Sequence, residues 1–164
     1  MKNPIITISR EFGSGGRESG QIVAQKLNIP YYDNALITIA AKKSGFVEEL
    51  FEQADQKPTG SLLYSLSMFG AGMSSVELPL NDKIFLIQSD IIKEVAAQGP
   101  CVVVGRCADY VLRETENVVN FFLYGSIEAR TAFAIREHDF PSEKAAEAVK
   151  KFDKRRASYY HYYT

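Results

Sequence analysis

A run of β-branched residues followed at once by a glycine-rich segment constrains the fold of this chain more than any other feature. The run Ile5 to Ser9 reads IITIS and starts after Pro4, a pattern typical of a short buried strand. Three glycines then lie between positions 13 and 16, and apolar residues recur at helical spacing from Ile22 to Leu27. These signals predict a strand, a glycine turn and a helix in immediate succession.

The rest of the chain also alternates strand and helix signals, without the turn signature of a β-hairpin. The run Pro100 to Gly105 is continuously apolar, as expected of a strand buried on both faces of a parallel sheet. We therefore predict a layered α/β fold, with ligands beyond the carboxyl ends of the strands. The other predicted elements are an extended piece at Tyr31 to Asp33, a helix capped by Asp33 and ending near Gly45, an acidic helix at 47–56, a helix from Asn81 or Asp82 to Gly99, a strand at 117–124, a helix from Ser126 to about His138 and a long helix opened by Pro141 and Ser142.

Two segments do not fit this alternation. Residues 57–82 are rich in Ser, Gly, Pro and Met, so we predict a mobile insertion, although its leucines and methionines need a surface to cover. The tail at 158–163 has four tyrosines in six positions, too many for a free solvated end. The insertion can cover its own chain or a partner, and for the tail we favour burial against a partner chain or a missing segment over base stacking. A further hypothesis is a homodimer whose interface both segments form.

Length and charge limit the class of protein. A chain of 164 residues forms about one domain, which we place at 1–164. The net charge of −1 gives no general attraction to nucleic acid, and no apolar run approaches the roughly 20 residues that cross a bilayer. The first residues lack the apolar stretch of a signal peptide, so we expect a cytoplasmic protein without a nucleic-acid or membrane partner. The two cysteines and two histidines have no metal-ligand spacing, and no metal site is predicted.

The glycine turn is the first candidate site. Closely spaced glycines let successive backbone N–H groups point into one concavity, and the following helix adds partial positive charge, which suits a phosphate. Arg17 supports this interpretation, because an arginine in the first helical turn opposes the helix dipole unless an anion is present. The alternative is a turn that only lets the helix pack on the sheet. The candidate phosphate-binding residues are Gly13, Ser14, Gly15, Gly16, Arg17 and Glu18.

Two further groups of charged residues follow predicted strands or lie on the late helices. Arg106 and Asp109 come just after the buried strand, where an arginine fork suits a phosphate and an acid suits a ribose hydroxyl or a base amine. A surface Arg–Asp pair is the alternative. Arginines on the helical segment at about 126–158 suit a lid that neutralises charge during phosphoryl transfer, although a solvated basic face has the same pattern. For Cys107 we favour an inert thiol over one activated by Arg106.

Several separated motifs together resemble the cytidylate kinase-like family. The motifs are SREFGSGGRE, YYD, LPLND, VVVGRCADY and DKRRASYYHYYT, and they extend over essentially the whole chain. The resemblance implies a three-layer P-loop kinase-like fold with a mainly parallel sheet, ATP phosphates in the glycine loop, and Mg²⁺ with the ATP. In proteins of this fold the chain usually continues past the position of Thr164 into another strand and helix.

The resemblance also assigns residue roles. Arg106 matches an arginine that contacts the nucleoside monophosphate, and Asp33 matches the acid that begins the monophosphate-binding region. Asp153 and Arg156 match a D-x-x-R pair. Arg130 and Arg136 match lid arginines. With Arg17, these last four residues form the predicted catalytic set.

The glycine loop departs from the pattern G-x-x-x-x-G-K-[ST] at the positions that matter most for catalysis. Aligned on Gly15, Arg10 stands at the first glycine, Gly16 at the lysine and Arg17 at the hydroxyl residue. The first functional hypothesis is an ATP-dependent phosphotransferase acting on a nucleoside monophosphate or a similar small acceptor. The second is a catalytically inactive nucleotide- or anion-binding regulatory module with a degenerate P-loop.

Overall fold

The computed structural model describes residues 4–37, 79–138 and 140–164. The predicted acidic helix at 47–56 and most of the predicted insertion at 57–82 lie outside the described residues. The predicted strands and helices within the described ranges are confirmed, with ends that differ by a few residues. The strands are β1 (Ile5–Arg10), β2 (Tyr31–Tyr32), β3 (Val102–Val104) and β4 (Val118–Leu123), and the helices are α1 (Gly16–Leu27), α2 (Leu80–Gln98), α3 (Ala108–Val111), α4 (Ile127–His138) and α5 (Ser142–Tyr163).

The four strands form one parallel sheet in the order β2-β3-β1-β4. Strand β1 pairs with β3 on one side and with β4 on the other, so it lies inside the sheet. The chain leaves β1 through α1 and reaches β2, which is separated from β1 by β3. Since the strands are parallel, their carboxyl ends share one edge, and the loops after β1, β2 and β3 meet there.

The sheet is covered on both faces, as the continuous apolar strands predict. Ile5 and Val103 face the layer that includes Ile91 and Ile92 of α2. The alternate strand residues point to the other face and pack with Ala24 of α1; they include Ile6, Ile8, Val102 and Val104. This alternation follows from the strand period of two and gives the predicted three-layer α/β/α architecture. In the described part of the chain, no helix has the length and apolar character that a membrane span requires.

Helix α5 accounts for the tyrosine-rich tail, which is helical to Tyr163. The ring of Tyr163 stacks on Phe85 of α2 with 3.9 Å between ring centroids. The hydroxyls of Tyr162 and Tyr163 donate to the carboxylate of Asp82 at 3.3 and 3.0 Å. The tail is thus covered in part by its own chain, through the start of α2, whereas the sequence led us to expect a partner chain or a missing segment there. Tyr162 stays largely exposed, and the homodimer stays a hypothesis.

Helix α1 approaches the sheet closely at Gly20. A Cβ at this position would lie 2.8 Å from Cγ2 of Val104 and 3.1 Å from Cε2 of Tyr31. We predict that Gly20→Ala lowers the free energy of unfolding by about 1–3 kcal/mol, because the helix must move off β3 to admit the methyl group. Urea unfolding measures the change. Gln21→Ala, an exposed substitution one position further along α1, is the control and should leave the unfolding midpoint nearly unchanged.

Candidate active site

The glycine loop joins β1 to α1 and opens into a cavity of about 280 Å³. Gly13 and Gly15 have φ angles of 77° and 72°, in the left-handed region that favours glycine. A Cβ on Gly13 would lie 2.5 Å from the carbonyl oxygen of Arg130, so this position also lacks space for a side chain. No side chain caps the start of α1, and residues 15–18 line the cavity. The first turn of α1 therefore offers backbone N–H groups to an anion.

Arg130 anchors the other half of this loop. Its guanidinium is buried and donates to the carbonyl oxygens of Gly125 at 3.0 Å and Phe12 at 3.1 Å. It also forms ion pairs with Glu11 at 3.2 Å and Asp153 at 2.5 Å. Asp153 in turn accepts a hydrogen bond of 2.7 Å from the backbone N–H of Phe12. Two residues of the predicted catalytic set therefore hold the loop in this structure, and their contact with a transferred phosphate stays a prediction.

We predict that Arg130→Gln lowers the free energy of unfolding by about 3 kcal/mol, because it leaves the carboxylates of Glu11 and Asp153 without their buried cation. Chemical denaturation measures this loss. The matched control is Arg113→Gln, since Arg113 is exposed and its contacts are with its chain neighbours Glu114, at 3.6 Å, and Tyr110, whose carbonyl oxygen accepts at 3.0 Å, and it should change the unfolding free energy by less than about 1 kcal/mol. Equal effects of the two substitutions would contradict the anchoring role.

Arg17 was predicted to bind the ATP phosphates and Asp33 the nucleoside monophosphate. The structure brings both side chains together at one side of the cavity. Their side chains form an ion pair of 2.9 Å, with Arg17 61% exposed and Asp33 10% exposed. The second carboxylate oxygen of Asp33 accepts from the backbone N–H of Leu36 at 3.1 Å, which confirms the predicted helix cap. The exposed Arg17 can leave this pair at small cost, so it remains available to an anion in the loop.

Arg106 reaches the same edge from an unusual turn after β3. Gly105, Arg106 and Cys107 have successive φ angles of 83°, 56° and 54°. For the two residues with side chains, this conformation costs roughly 1–2 kcal/mol each. The turn places the Arg106 guanidinium where it donates to the side-chain oxygen of Asn34 and, at 3.2 Å, to the hydroxyl of Tyr159. Strain of this kind is concentrated at functional sites.

The remaining predicted residues divide into two groups. Arg156 lines the cavity, donates to the carbonyl oxygen of Arg10 at 3.3 Å and lies over the ring of Phe12. Arg136 and Asp109 do not line this cavity. Arg136 is exposed and pairs with its neighbour Glu137.

Asp109 lies in α3, whose Ala108 packs in the same layer as Ile91 and Ile92 of α2. It accepts from Tyr160 at 2.7 Å, and this hydrogen bond raises the pKa of the Tyr160 hydroxyl to about 12.

Cys107 is buried, and burial raises the pKa of its thiol to about 11, with a smaller contribution from Asp109. Cys101 is also buried, with its pKa likewise raised to about 11. Burial and the raised pKa both favour the interpretation of an inert thiol for Cys107.

We predict that a disulfide reagent at pH 8 labels neither cysteine of the native protein rapidly, because both thiols are protonated and shielded. The same reagent should titrate both after unfolding in urea. Fast labelling of the native protein would contradict this assignment.

The cavity lining includes residues 10–18 and 33–35, where the ends of the first two predicted strands place a ligand, but the sequence assigned no role to several residues of the site. Arg10 lines the cavity, although its position at a strand end gave no signal beyond its place in the glycine pattern. Asn34 and Tyr159 hold Arg106 from distant parts of the chain. Within the described residues, no group of three or more His, Cys, Asp or Glu side chains could hold a metal ion.

The strand order, the glycine loop after the first strand and the arginine-lined cavity define the class of P-loop kinase-like proteins. Solved structures agree with this fold. A shikimate kinase from Acinetobacter baumannii is 14% identical, with a TM-score of 0.50 over 97% of this chain and 79% of that one. A gluconokinase from Sinorhizobium meliloti 1021 is 14% identical, with a TM-score of 0.51 over 93% of this chain and 76% of that one.

Within that class, the chain belongs to the cytidylate kinase-like family, whose model matches residues 5–164. An uncharacterized protein from Eubacterium ventriosum ATCC 27560 is also similar, with 25% identity and a TM-score of 0.72 over 99% of this chain and 78% of that one. No curated protein matches the sequence.

Proposed function

We propose that this protein is an ATP-dependent phosphotransferase that phosphorylates a nucleoside monophosphate or a similar small acceptor in the cytoplasm. One observation carries the proposal. The uncapped start of α1 and the left-handed Gly13 and Gly15 open into a cavity that Arg17 and Arg156 also line. Such an arrangement neutralises clustered negative charge, which is the main requirement of phosphoryl transfer.

In this proposal the loop from Gly13 to Glu18 binds the ATP phosphates through backbone N–H groups and the positive end of the α1 dipole. The Ser14 hydroxyl donates to the carbonyl oxygen of Glu11 at 2.9 Å, so it stabilises the loop. Arg17 stands where the family pattern has a metal-binding hydroxyl and cannot bind Mg²⁺. Magnesium would therefore arrive with the ATP phosphates, to which it supplies charge neutralisation.

The acceptor would bind at the ends of β2 and β3. Asp33 and Arg106 lie there, and the strained turn at Arg106 directs its guanidinium toward Asn34. Arg17 is then released from Asp33 to contact the transferred group, while Arg156 approaches it from α5. Transfer would be direct and in line, since positioning and charge neutralisation suffice for this chemistry. Arg130 and Asp153 act by keeping the loop in place.

The experiment is ³¹P NMR of the protein with Mg·ATP, first alone and then with CMP, dCMP, UMP or AMP. The proposal predicts a growing β-phosphate resonance of a new diphosphate with one acceptor. If ATP persists with every acceptor while its resonances shift or broaden, the protein is the alternative binding module, and the proposed activity is wrong.

For the accepted substrate, we predict that Arg17→Gln lowers kcat/KM by at least about tenfold, since it removes a cation from the transition state. The matched control is Lys26→Gln, which removes a positive charge from the last turn of the same helix and should leave kcat/KM within twofold, about the error of the assay. Unchanged turnover of Arg17→Gln would refute the assignment of Arg17.

A further inference from the structure

Arg10 takes an unusual path at the end of β1. Its side chain passes against Gly16, where a Cβ would lie 2.7 Å from Cγ of Arg10 and 2.9 Å from its Cβ. The guanidinium then lies against Gly105, where a Cβ would collide with one of its terminal nitrogens. The side chain thus runs between two glycines, the first residue of α1 and the first residue after β3. Neither position has room for a larger residue while Arg10 keeps this path.

The Arg10 guanidinium is half-buried. Over the ranges 4–37, 79–138 and 140–164, it makes no hydrogen bond and no ion pair. Asp33, the acid whose charge acts on it, is already paired with Arg17. A guanidinium carries five N–H donors. In the described residues, no Arg10 nitrogen is among the fully buried side-chain atoms that lack a partner, so these donors are accessible from the cavity that Arg10 lines and can bind a ligand there.

Two more guanidiniums share this position. Arg156 donates to the backbone carbonyl of Arg10, and Arg106 directly follows the glycine against which Arg10 lies. Both repel the charge of Arg10, and burial with this repulsion lowers the pKa of Arg10 to about 10. Three cations from β1, the turn after β3 and α5 therefore lie close together, and the carboxylates that act on them, Asp33 on Arg10 and Asp153 on Arg156, are already paired with Arg17 and Arg130. Such convergence is unfavourable unless an anion binds among them.

We propose that Arg10, together with Arg106 and Arg156, binds one phosphate group at the edge of the cavity. The inference rests on the proposed function and adds Arg10 as a phosphate-binding residue. In this arrangement Arg10 supplies, from the strand, the cation that the glycine loop lacks at Gly16. The phosphate is either the terminal phosphate of ATP or the phosphate of the acceptor, and both present the same oxygens to an arginine fork.

Isothermal titration calorimetry without turnover tests this site. The ligands are ATP without magnesium, CMP, pyrophosphate and, as the phosphate-free probe, cytidine. The proteins are the wild type, Arg10→Gln and Arg10→Lys, with Arg113→Gln as a control that removes an exposed arginine elsewhere. We expect Arg10→Gln to weaken at least one phosphate-bearing ligand by at least about tenfold and Arg10→Lys to recover part of that loss.

The pattern of losses identifies the source of the phosphate. Weaker binding of ATP with unchanged CMP assigns Arg10 to the terminal phosphate of the donor. Weaker binding of CMP with unchanged ATP assigns it to the acceptor. Unchanged affinity for ATP, CMP and pyrophosphate in both Arg10 variants would overturn the inference.

Thermal unfolding distinguishes a ligand-binding role from a structural one. An unpartnered cation opposes folding, so the melting temperature of unliganded Arg10→Gln should equal or exceed that of the wild type, while the increase caused by pyrophosphate is lost. A lower melting temperature with a normal pyrophosphate response would show a structural role and overturn the inference. Failure of the proposed function looks different: phosphate binding then depends on Arg10, but no diphosphate forms.

Discussion

The buried guanidinium of Arg130 is the interaction on which the rest of the site depends. The chain segment between β1 and α1 has no regular secondary structure of its own to fix it. Arg130 connects it to the β4–α4 connection at Gly125 and, through Asp153, to α5. Asp153 accepts from the backbone N–H of Phe12, and Arg130 donates to the carbonyl oxygen of the same residue. The Arg130–Asp153 ion pair therefore holds both backbone polar groups of Phe12. The left-handed Gly13 can then lie against the backbone of Arg130 itself.

With the loop anchored in this way, Arg10, Arg17 and Arg156 line the cavity. The guanidinium of Arg130 is paired with carboxylates and carbonyl oxygens, whereas the exposed Arg17 has one ion pair, with Asp33, and Arg10 has no ion pair in the described residues. Arg106 is held by neutral groups, the side-chain oxygen of Asn34 and the hydroxyl of Tyr159, which orient it without neutralising its charge. The site therefore separates structural charge, which is paired, from charge that remains for a ligand. In the proposed complex, a phosphate would supply an anion to these cations while the ion pairs of Arg130 keep the loop in place.

The secondary structure was predictable because the buried strands and the helix cap each have a signal within a few consecutive residues. The strands from Ile5 and at Val102–Val104 are runs of apolar residues, and the cap at Asp33 is a local backbone interaction. The strand order was not predictable in the same way, since it depends on pairing between distant segments. The cover over the tyrosine tail was missed for a similar reason, because Phe85 and Asp82 are some 80 residues from their tyrosine partners.

The candidate site was predicted only in outline. The glycines and Arg106 could be identified because they follow strands, and parallel strands gather such loops at one edge. The anchoring role of Arg130 could not be predicted, since its partners Glu11 and Asp153 lie in distant parts of the chain. The role of Arg10 could not be predicted either, because the local sequence does not show whether an arginine at a strand end is paired. Its environment is set by residues 16 and 105.

The substitution of Gly16 for the lysine of the P-loop pattern has a geometric explanation in Arg10. With the stem of Arg10 only 2.7 Å from where a Cβ of residue 16 would lie, a lysine at 16 and this path of Arg10 exclude each other. Once Arg10 occupies the space beneath the loop, residue 16 must be glycine, and residue 105 must be glycine to admit the guanidinium. The three positions form one unit, in which the cation enters from the strand instead of the helix. An altered lysine position in this chain is therefore consistent with a relocated positive charge, and Gly16 alone does not imply that phosphate binding was lost.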